Sequence, residues 1–341
     1  TVTLREVASE AGVHVSTASR ALNPATRSIV NDKTAKRVLA AAEQLGYRPH
    51  PLARGLRTNR TLTVGITVPD LLNPVFPLLF AGAEASLRGE GYSLLVGAGD
   101  DPANLIAASG VLLDRHVDGL IMGNAHIHSS LPQTASNHAV PTVLVNRTTD
   151  SITAPSIACD DHAGIGLIVR HLVELGHTAI AHIAGPQDIS NGVIRRQAFV
   201  AWMHSEGLDT PSELIAETVG FHTDQGRDAC ERLLDSGEHF TAIVAANDLI
   251  ALGCYDALAD RGIKVPDEVS VTGYDDMVFI DRVYPPLTTV SVPFYEMGAL
   301  AGRVMLSLLT SEEGSADAAT TSTLLRPHLE VRGSTSRPAG L

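Results

Sequence analysis

Apolar residues recur at helical spacing along the first part of the chain. Leu4, Val7, Ala8 and Ala11 share one face, and Gly12 stops that helix. After a three-residue step the pattern restarts at Val15, with Ala18, Ser19 and Leu22 together, and Asn23-Pro24 ends it. A third set, Ala35, Val38, Leu39, Ala42 and Leu45, follows Asn31 and Asp32, either of which can cap a helix start, and Gly46 closes it. Two helices joined by a short glycine-containing turn make a helix-turn-helix. Any short helix pair can produce the same spacing.

From residue 62 the pattern changes. Short apolar runs predict strands at Thr63–Val68, Tyr92–Val96, Gly119–Met122, Thr142–Val145, Ala179–Ala184, Ala242–Ala245, Val269–Thr272 and Thr288–Val292. Helical patterns sit between them, as at Gly164–Leu175, Gln225–Ser236 and Leu249–Arg261. Alternating strands and helices predict parallel sheets covered on both faces. About ten strands exceed one compact sheet, so two lobes are expected. Ligands in such folds sit beyond the carboxyl ends of the strands. That rule points to Asp70–Phe76, Gly97–Asp101, Asn146-Arg147, Asp160-Asp161, Ala246–Asp248 and Gly273–Asp276.

The chain has 341 residues, 44% of them hydrophobic, enough for a substantial core. It has no apolar run of about 18 residues to span a membrane. Residues 1–7 lack the apolar centre of a signal peptide, and three cysteines are too few for a disulfide frame or zinc site. These features read as a reduced, cytoplasmic protein. The net charge of −13 is unevenly spread: residues 1–60 carry +6 and the remainder −19. A basic head on an acidic body fits a polyanion partner for the head alone, or a basic surface with no ligand.

Val15, Ser16, Ser19 and Arg20 lie in the N-terminal half of the second helix, the part that enters a major groove. Arginine can contact guanine bidentately and serine can bond a base edge or phosphate; the alternative is a solvated face. Residues 48–61 form a basic linker. Within it Leu56 either wedges between base steps with Arg54 and Arg57 on phosphates, or packs on the body or a partner chain. In the body, the Asn, Asp and Arg at strand ends suit hydroxyl-rich ligands, and Phe76 and Phe221 can cover an apolar ligand face. Taken singly, Asp248, Asp275 and Asp276 read as helix or turn caps; their clustering reads as a site. Trp202 fits the buried face of a helix, and Cys159, Cys230 and Cys254 look structural. His14 and His50 suit DNA phosphates. The pair His126 and His128 reads as loop surface rather than a metal site. No Gly-x-Ser-x-Gly, His-Glu-x-x-His or P-loop is present, so neither an enzyme nor a cofactor or metal is expected.

The run from Thr3 to Asn23, TLREVASEAGVHVSTASRALN, resembles the headpiece of the LacI/GalR family of bacterial transcription regulators. So do LGYRP at 45–49 and ARGLRT at 53–58, and the likeness continues to EVRGST at 330–335. The resemblance implies an all-α helix-turn-helix headpiece (1–47), a hinge (48–61) and an α/β two-lobed periplasmic-binding-protein-like core (62–341). Its first lobe would take about 62–160 plus 292–325, and its second about 161–291 plus 326–341. It implies that Val15, Ser16 and Arg20 read bases and that Leu56 intercalates at the centre of a palindromic operator. It also implies an effector site. There Arg195, in Arg195-Arg196-Gln197-Ala198-Phe199, is the better match and Arg196 the lesser one. Asn247, Asp275 and, on the first-lobe side, Asn73, Phe76 and Arg147 join it. Arg, Asn and Asp together lean toward a sugar effector, with a purine or other metabolite as the alternative. Two departures stand out: His14 replaces the usual Ser cap, and the loop Asn23–Asn31 is about two residues longer than in some relatives. A homodimer is expected, without a leucine heptad for a tetramer. A solute receptor for a transporter is the rival reading, opposed by the basic headpiece.

Overall fold

The computed structural model describes residues 2–23, 26–47, 60–128, 140–150, 154–310 and 322–339. The chain forms two compact units, Thr1–Leu62 and Thr63–Leu341.

Among its described residues the first unit holds three α-helices, α1 (Leu4–Glu10), α2 (Val15–Leu22) and α3 (Asp32–Gln44). Thr3 and Glu6 cap α1 reciprocally, each satisfying the other's backbone amide. Asn31, rather than Asp32, caps α3 by accepting from the Lys33 amide at 3.0 Å. The core is small, built from Val7, Ala8, Ala11, Ala18, Ala21, Ala35, Val38, Ala41 and Ala42. Alanine-rich faces let the helices approach closely.

The second unit contains two six-stranded sheets. The first runs β11-β5-β4-β3-β1-β2, from β1 (Thr63–Val68), β2 (Ser93–Ala98), β3 (Gly119–Met122), β4 (Thr142–Val145), β5 (Ser156–Cys159) and β11 (Ser322–Leu325), all parallel. The second runs β12-β10-β9-β8-β6-β7, from β6 (Ile180–Ala184), β7 (Ile215–Glu217), β8 (Ala242–Ala245), β9 (Ser270–Asp275), β10 (Thr288–Ser291) and β12 (His328–Glu330). Here only β12 pairs antiparallel. The central strands are buried on both faces, which is why they read as continuous apolar runs. The four strands the sequence pattern missed, β5, β7, β11 and β12, are three or four residues long. In β11 and β12 they are also polar and half exposed, so no apolar run marks them.

Helices α4 (Phe76–Arg88) and α5 (Pro102–Asp114) flank the first sheet, and α6 (Asp161–Glu174), α7 (Ser190–Ser205), α8 (Thr223–Asp235) and α9 (Asp248–Asp260) the second. The chain then returns to the first sheet: α10 (Phe294–Thr310) packs on α4 and on β3, β4 and β5. Glycines set that contact. A Cβ on Gly82 would stand 1.9 Å from the Tyr295 carbonyl, and one on Gly298 2.0 Å from the Leu79 carbonyl. Both sheets therefore share one strand order, with a switch between β1 and β3 and another between β6 and β8. The carboxyl ends at these switches are where a crevice forms. All three cysteines are buried, as expected. Trp202 is half buried: its Nε1 donates to the His162 carbonyl at 3.0 Å, with Arg170 over its ring.

Candidate effector cleft and nucleic-acid interface

In the first unit, α2 presents Ser16 and Arg20 to solvent, while Val15 and Ser19 are half buried. Val15 packs against the helical core. His14 does cap α2. Its Nδ1 accepts from the Ser16 amide at 3.3 Å and lies 2.8 Å from the Ser16 hydroxyl. The imidazole thus replaces a short polar cap rather than leaving the helix start bare. Arg54, Leu56 and Arg57, like His50, lie outside the described residues.

In the second unit a cleft of about 340 Å³ opens where the carboxyl ends of the two sheets face each other, within the range of small-molecule sites. Asn73, Phe76, Arg147, Arg195, Phe221, Asn247 and Asp275 all line it. The first sheet supplies Asn73 and Phe76 after β1, Asp100 after β2, His126 after β3 and Arg147 after β4. The second supplies Asp188 and Asn191 after β6, Phe221 and His222 after β7, Asn247 after β8, and Asp275 at the end of β9.

Arg195 is held on every side. Its Nε lies 3.0 Å from Asp161 Oδ1, its NH1 2.7 Å from the Ala246 carbonyl and its NH2 3.6 Å from Asp275 Oδ1. The guanidinium lies 3.8 Å over the Tyr274 ring. Burial opposes its charge, but Asp161 and Asp275 outweigh that and hold its pKa above the ordinary value. Burial pushes Asp275 up to about 7, against the pull of Arg195. Arg196 points elsewhere, half exposed beside Glu217 at 3.4 Å.

Arg147 is as deeply buried, at 4% exposure, yet its Nε and NH1 have no hydrogen-bond partner. The nearest carboxylate, Asp100, is 3.8 Å away. Burial lowers its pKa to about 10, with Asp100 and Asp188 opposing. Across the cleft the Asn191 Oδ1 is also buried and unpartnered. Groups this buried are normally paired, so each is poised for something that enters. Asn146 (φ 65°), Asp275 (φ 109°) and Asp276 (φ 54°) hold left-handed backbones beside these side chains, the kind of strain that gathers at functional sites.

Three expectations need correction. His126 is no surface residue: its side chain is 15% exposed and lies between Asp188 and the Asp100 carbonyl. His128 is exposed. Asp248 is neither cap nor cleft wall. Asn247 caps α9 through the Ile250 amide, while Asp248 accepts from the Met277 amide at 2.8 Å and the Thr289 hydroxyl at 2.5 Å. Asp276 pairs with Arg332 at 2.6 Å, away from the cleft. Sequence reasoning missed His126, Asp188 and His222, which sit on the loops after β3, β6 and β7, and Asn191, in the first turn of α7. The strand-end rule covers those loops too; β7 itself was not foreseen. Among the described residues no group of His, Cys, Asp and Glu could hold a metal, and no helix is long and apolar enough to cross a membrane.

Residues 3–50 match the model of bacterial regulatory proteins, lacI family, and residues 169–335 that of the periplasmic binding protein-like domain. The HTH-type transcriptional regulator DegA of Bacillus subtilis is 32% identical over 98% of both chains. The chain belongs to the lacI family. Another relative of this LacI-family regulator, the HTH-type transcriptional repressor CytR of Escherichia coli, is 32% identical over 98% of this chain and 96% of its own. Among solved structures, the lac repressor dimer bound to operator and the anti-inducer ONPF superposes with a TM-score of 0.86 at 28% identity, covering 98% of this chain and 99% of that one. A transcriptional regulator CelR–cellobiose complex does so with a TM-score of 0.75 at 30% identity, over 98% and 100%. The helix-turn-helix headpiece and two-lobed core are thus those of DNA-binding transcription regulators.

Proposed function

We propose that this regulator is a non-enzymatic repressor that binds a palindromic operator as a homodimer and is switched by a sugar entering the cleft. The observation that carries the effector reading is the pair of unsatisfied groups facing the cavity. Arg147 offers donors and Asn191 an acceptor, and a hydroxyl can serve as either. The charge balance narrows the ligand. Asp70, Asp100, Asp101, Asp188 and Asp275 line the cleft beside Arg147, Arg195 and the imidazoles of His126 and His222, an excess of carboxylates that disfavours phosphorylated sugars and carboxylates. The cellobiose in the CelR complex supports the same class.

On the DNA side, exposed Ser16 and Arg20, with Val15 and Ser19 beside them, are the base-reading set, and Arg54, Leu56 and Arg57 form a minor-groove hinge. Exposed apolar positions on the edge strand β2 and on α5, namely Leu95, Val96, Ile106 and Val111, form the dimer face. Two linked headpieces gain effective concentration that one lacks. Selection from random duplex DNA tests this: wild type should enrich a two-fold symmetric site, and Arg20→Ala should lose the preference. Enrichment of no sequence by wild type would sink the operator reading. A thermal-shift screen of neutral sugars, sugar phosphates and purines tests the effector. A ligand at 100 times its Kd adds about 2.7 kcal/mol. A purine or phosphate hit would displace the neutral sugar.

A further inference from the structure

The cap of α2 ties together two exposed side chains. His14 Nδ1 accepts from the Ser16 amide at 3.3 Å and lies 2.8 Å from the Ser16 hydroxyl oxygen. Ser16 is the second residue of the helix, and Arg20 stands one turn further on, also exposed. The pair therefore sits at the end of a recognition helix that enters a major groove.

A backbone amide can only donate. Nδ1 is therefore bare, and the ring hydrogen is on Nε2. A hydrogen on Nδ1 would point at the amide hydrogen instead. The short contact to the Ser16 oxygen then has one reading: the hydroxyl donates and Nδ1 accepts. The ring nitrogen serves both donors, and the hydroxyl is the nearer of the two.

That bond uses the one hydrogen of the Ser16 side chain. A free serine hydroxyl donates or accepts, turning to suit its partner. Tied to His14, it has only lone pairs left to offer. In the major groove adenine N6 and cytosine N4 donate, whereas guanine O6 and N7 and thymine O4 accept. An acceptor-only oxygen matches the amino groups and meets the keto oxygens lone pair to lone pair.

We propose that His14 determines specificity through Ser16: by holding the serine hydrogen, it makes Ser16 a reader of the amino group of adenine or cytosine that rejects guanine and thymine. His14 is a positioning residue here and need not touch a base. The proposal rests on Ser16 reading a base edge, and its test separates the two.

Selection from random duplex DNA with the full chain, wild type beside Ser16→Ala, finds the base pair that Ser16 reads. Each pair shows one amino group in the major groove. Two synthetic changes address it. One deletes it, with purine in place of adenine or 2-pyrimidinone in place of cytosine. The other puts a keto oxygen in its place, by the transition from adenine to guanine or cytosine to thymine. Competition against the intact duplex is run at fixed salt and about pH 8, where a free imidazole is neutral. Each change should lower wild-type affinity about fivefold beyond its effect on Ser16→Ala, the scale of one hydrogen bond. His14→Asn puts an oxygen with lone pairs and no hydrogen where Nδ1 stands, and should behave as wild type. His14→Ser keeps a good cap, but its own hydroxyl can donate to Ser16 and free the Ser16 hydrogen for an oxygen. The transition should then affect it no more than Ser16→Ala. A weakened cap alone would lower affinity for every duplex alike and single out no amino group. If Ser16→Ala changes the preference at no base pair, the base-reading role fails and the proposal with it. If it flattens one pair, but deleting that amino group leaves wild-type affinity intact, the reader stands and its polarity is overturned. The same holds if His14→Ser responds to the transition as wild type does, or if His14→Asn does not.

Discussion

The two guanidiniums of the cleft stand in opposite conditions. Arg195, from the second lobe, spends its donors on Asp161, the Ala246 carbonyl and Asp275, and lies over Tyr274. Arg147, from the first, is as buried but keeps Nε and NH1 unpartnered. The first arrangement completes itself within one lobe. The second is completed only by what enters. The difference teaches that burial alone does not mark a binding residue: a satisfied buried charge builds the wall, and an unsatisfied one waits for the ligand. Such a group costs stability in the empty protein and discriminates sharply against ligands lacking its complement.

The comparison breaks most visibly at Arg195. Arg195→Met leaves Asp161 and Asp275 buried without their cation, and should lower unfolding free energy in urea by about 3–5 kcal/mol. A loss below about 1 kcal/mol would mean the cluster is not the strut described. Next in size is a pH effect. Asp275, pushed up to about 7, binds its proton more tightly folded than unfolded, where a carboxyl titrates near 4. Its contribution is full below about pH 4 and is lost as pH rises to about 7, so stability falls across that window by on the order of 4 kcal/mol. Asp275→Asn should flatten this slope, and an unchanged slope would assign it to another group.

This contrast shows how much the sequence discloses. Asn73, Phe76, Arg147, Asn247 and Asp275 could be named because strand-end position and family motif both point to them, Arg195 from the motif alone and Phe221 as an aromatic suited to an apolar ligand face, and all seven converge on one cleft. Strand runs such as Thr63–Val68 and Gly119–Met122 were legible to the residue, because burial on both faces leaves an unbroken apolar signal. What stayed hidden depends on pairing in space. Nothing in the order of residues says that Arg195 bonds Asp161 while Arg147 Nε and NH1 find no hydrogen-bond partner and Asp100 stands 3.8 Å off. Likewise, His126 reads as loop surface until the loop after β6 is seen to lie across it.

Arg147→Met sharpens the comparison from the other side. Removing a buried cation with orphaned donors should raise the stability of the empty protein by about 1–2 kcal/mol. It should also abolish any ligand-induced thermal shift. A destabilised variant would mean that Arg147 is paired in solution, and the contrast with Arg195 would collapse.

The smallest effect is expected at Asn191, which tests whether the distinction follows the lobe or the pairing. Asn191 belongs to the second lobe with Arg195, yet its Oδ1 is unpartnered like the donors of Arg147. If the second lobe is complete in itself, truncating any of its cleft residues should destabilise the empty protein. If pairing decides, Asn191→Ala removes a polar atom that bonds nothing and a small volume beside an open cavity. The loss of packing and the relief of the orphan oppose each other, so empty-protein stability should move by less than about 1 kcal/mol. The ligand-induced shift should nonetheless vanish. Measuring both quantities on one variant separates the alternatives. Near-neutral stability with a lost shift places Asn191 with Arg147, across the lobe boundary, as a group completed by the ligand. Marked destabilisation with the shift retained would place it with Arg195, as part of the wall.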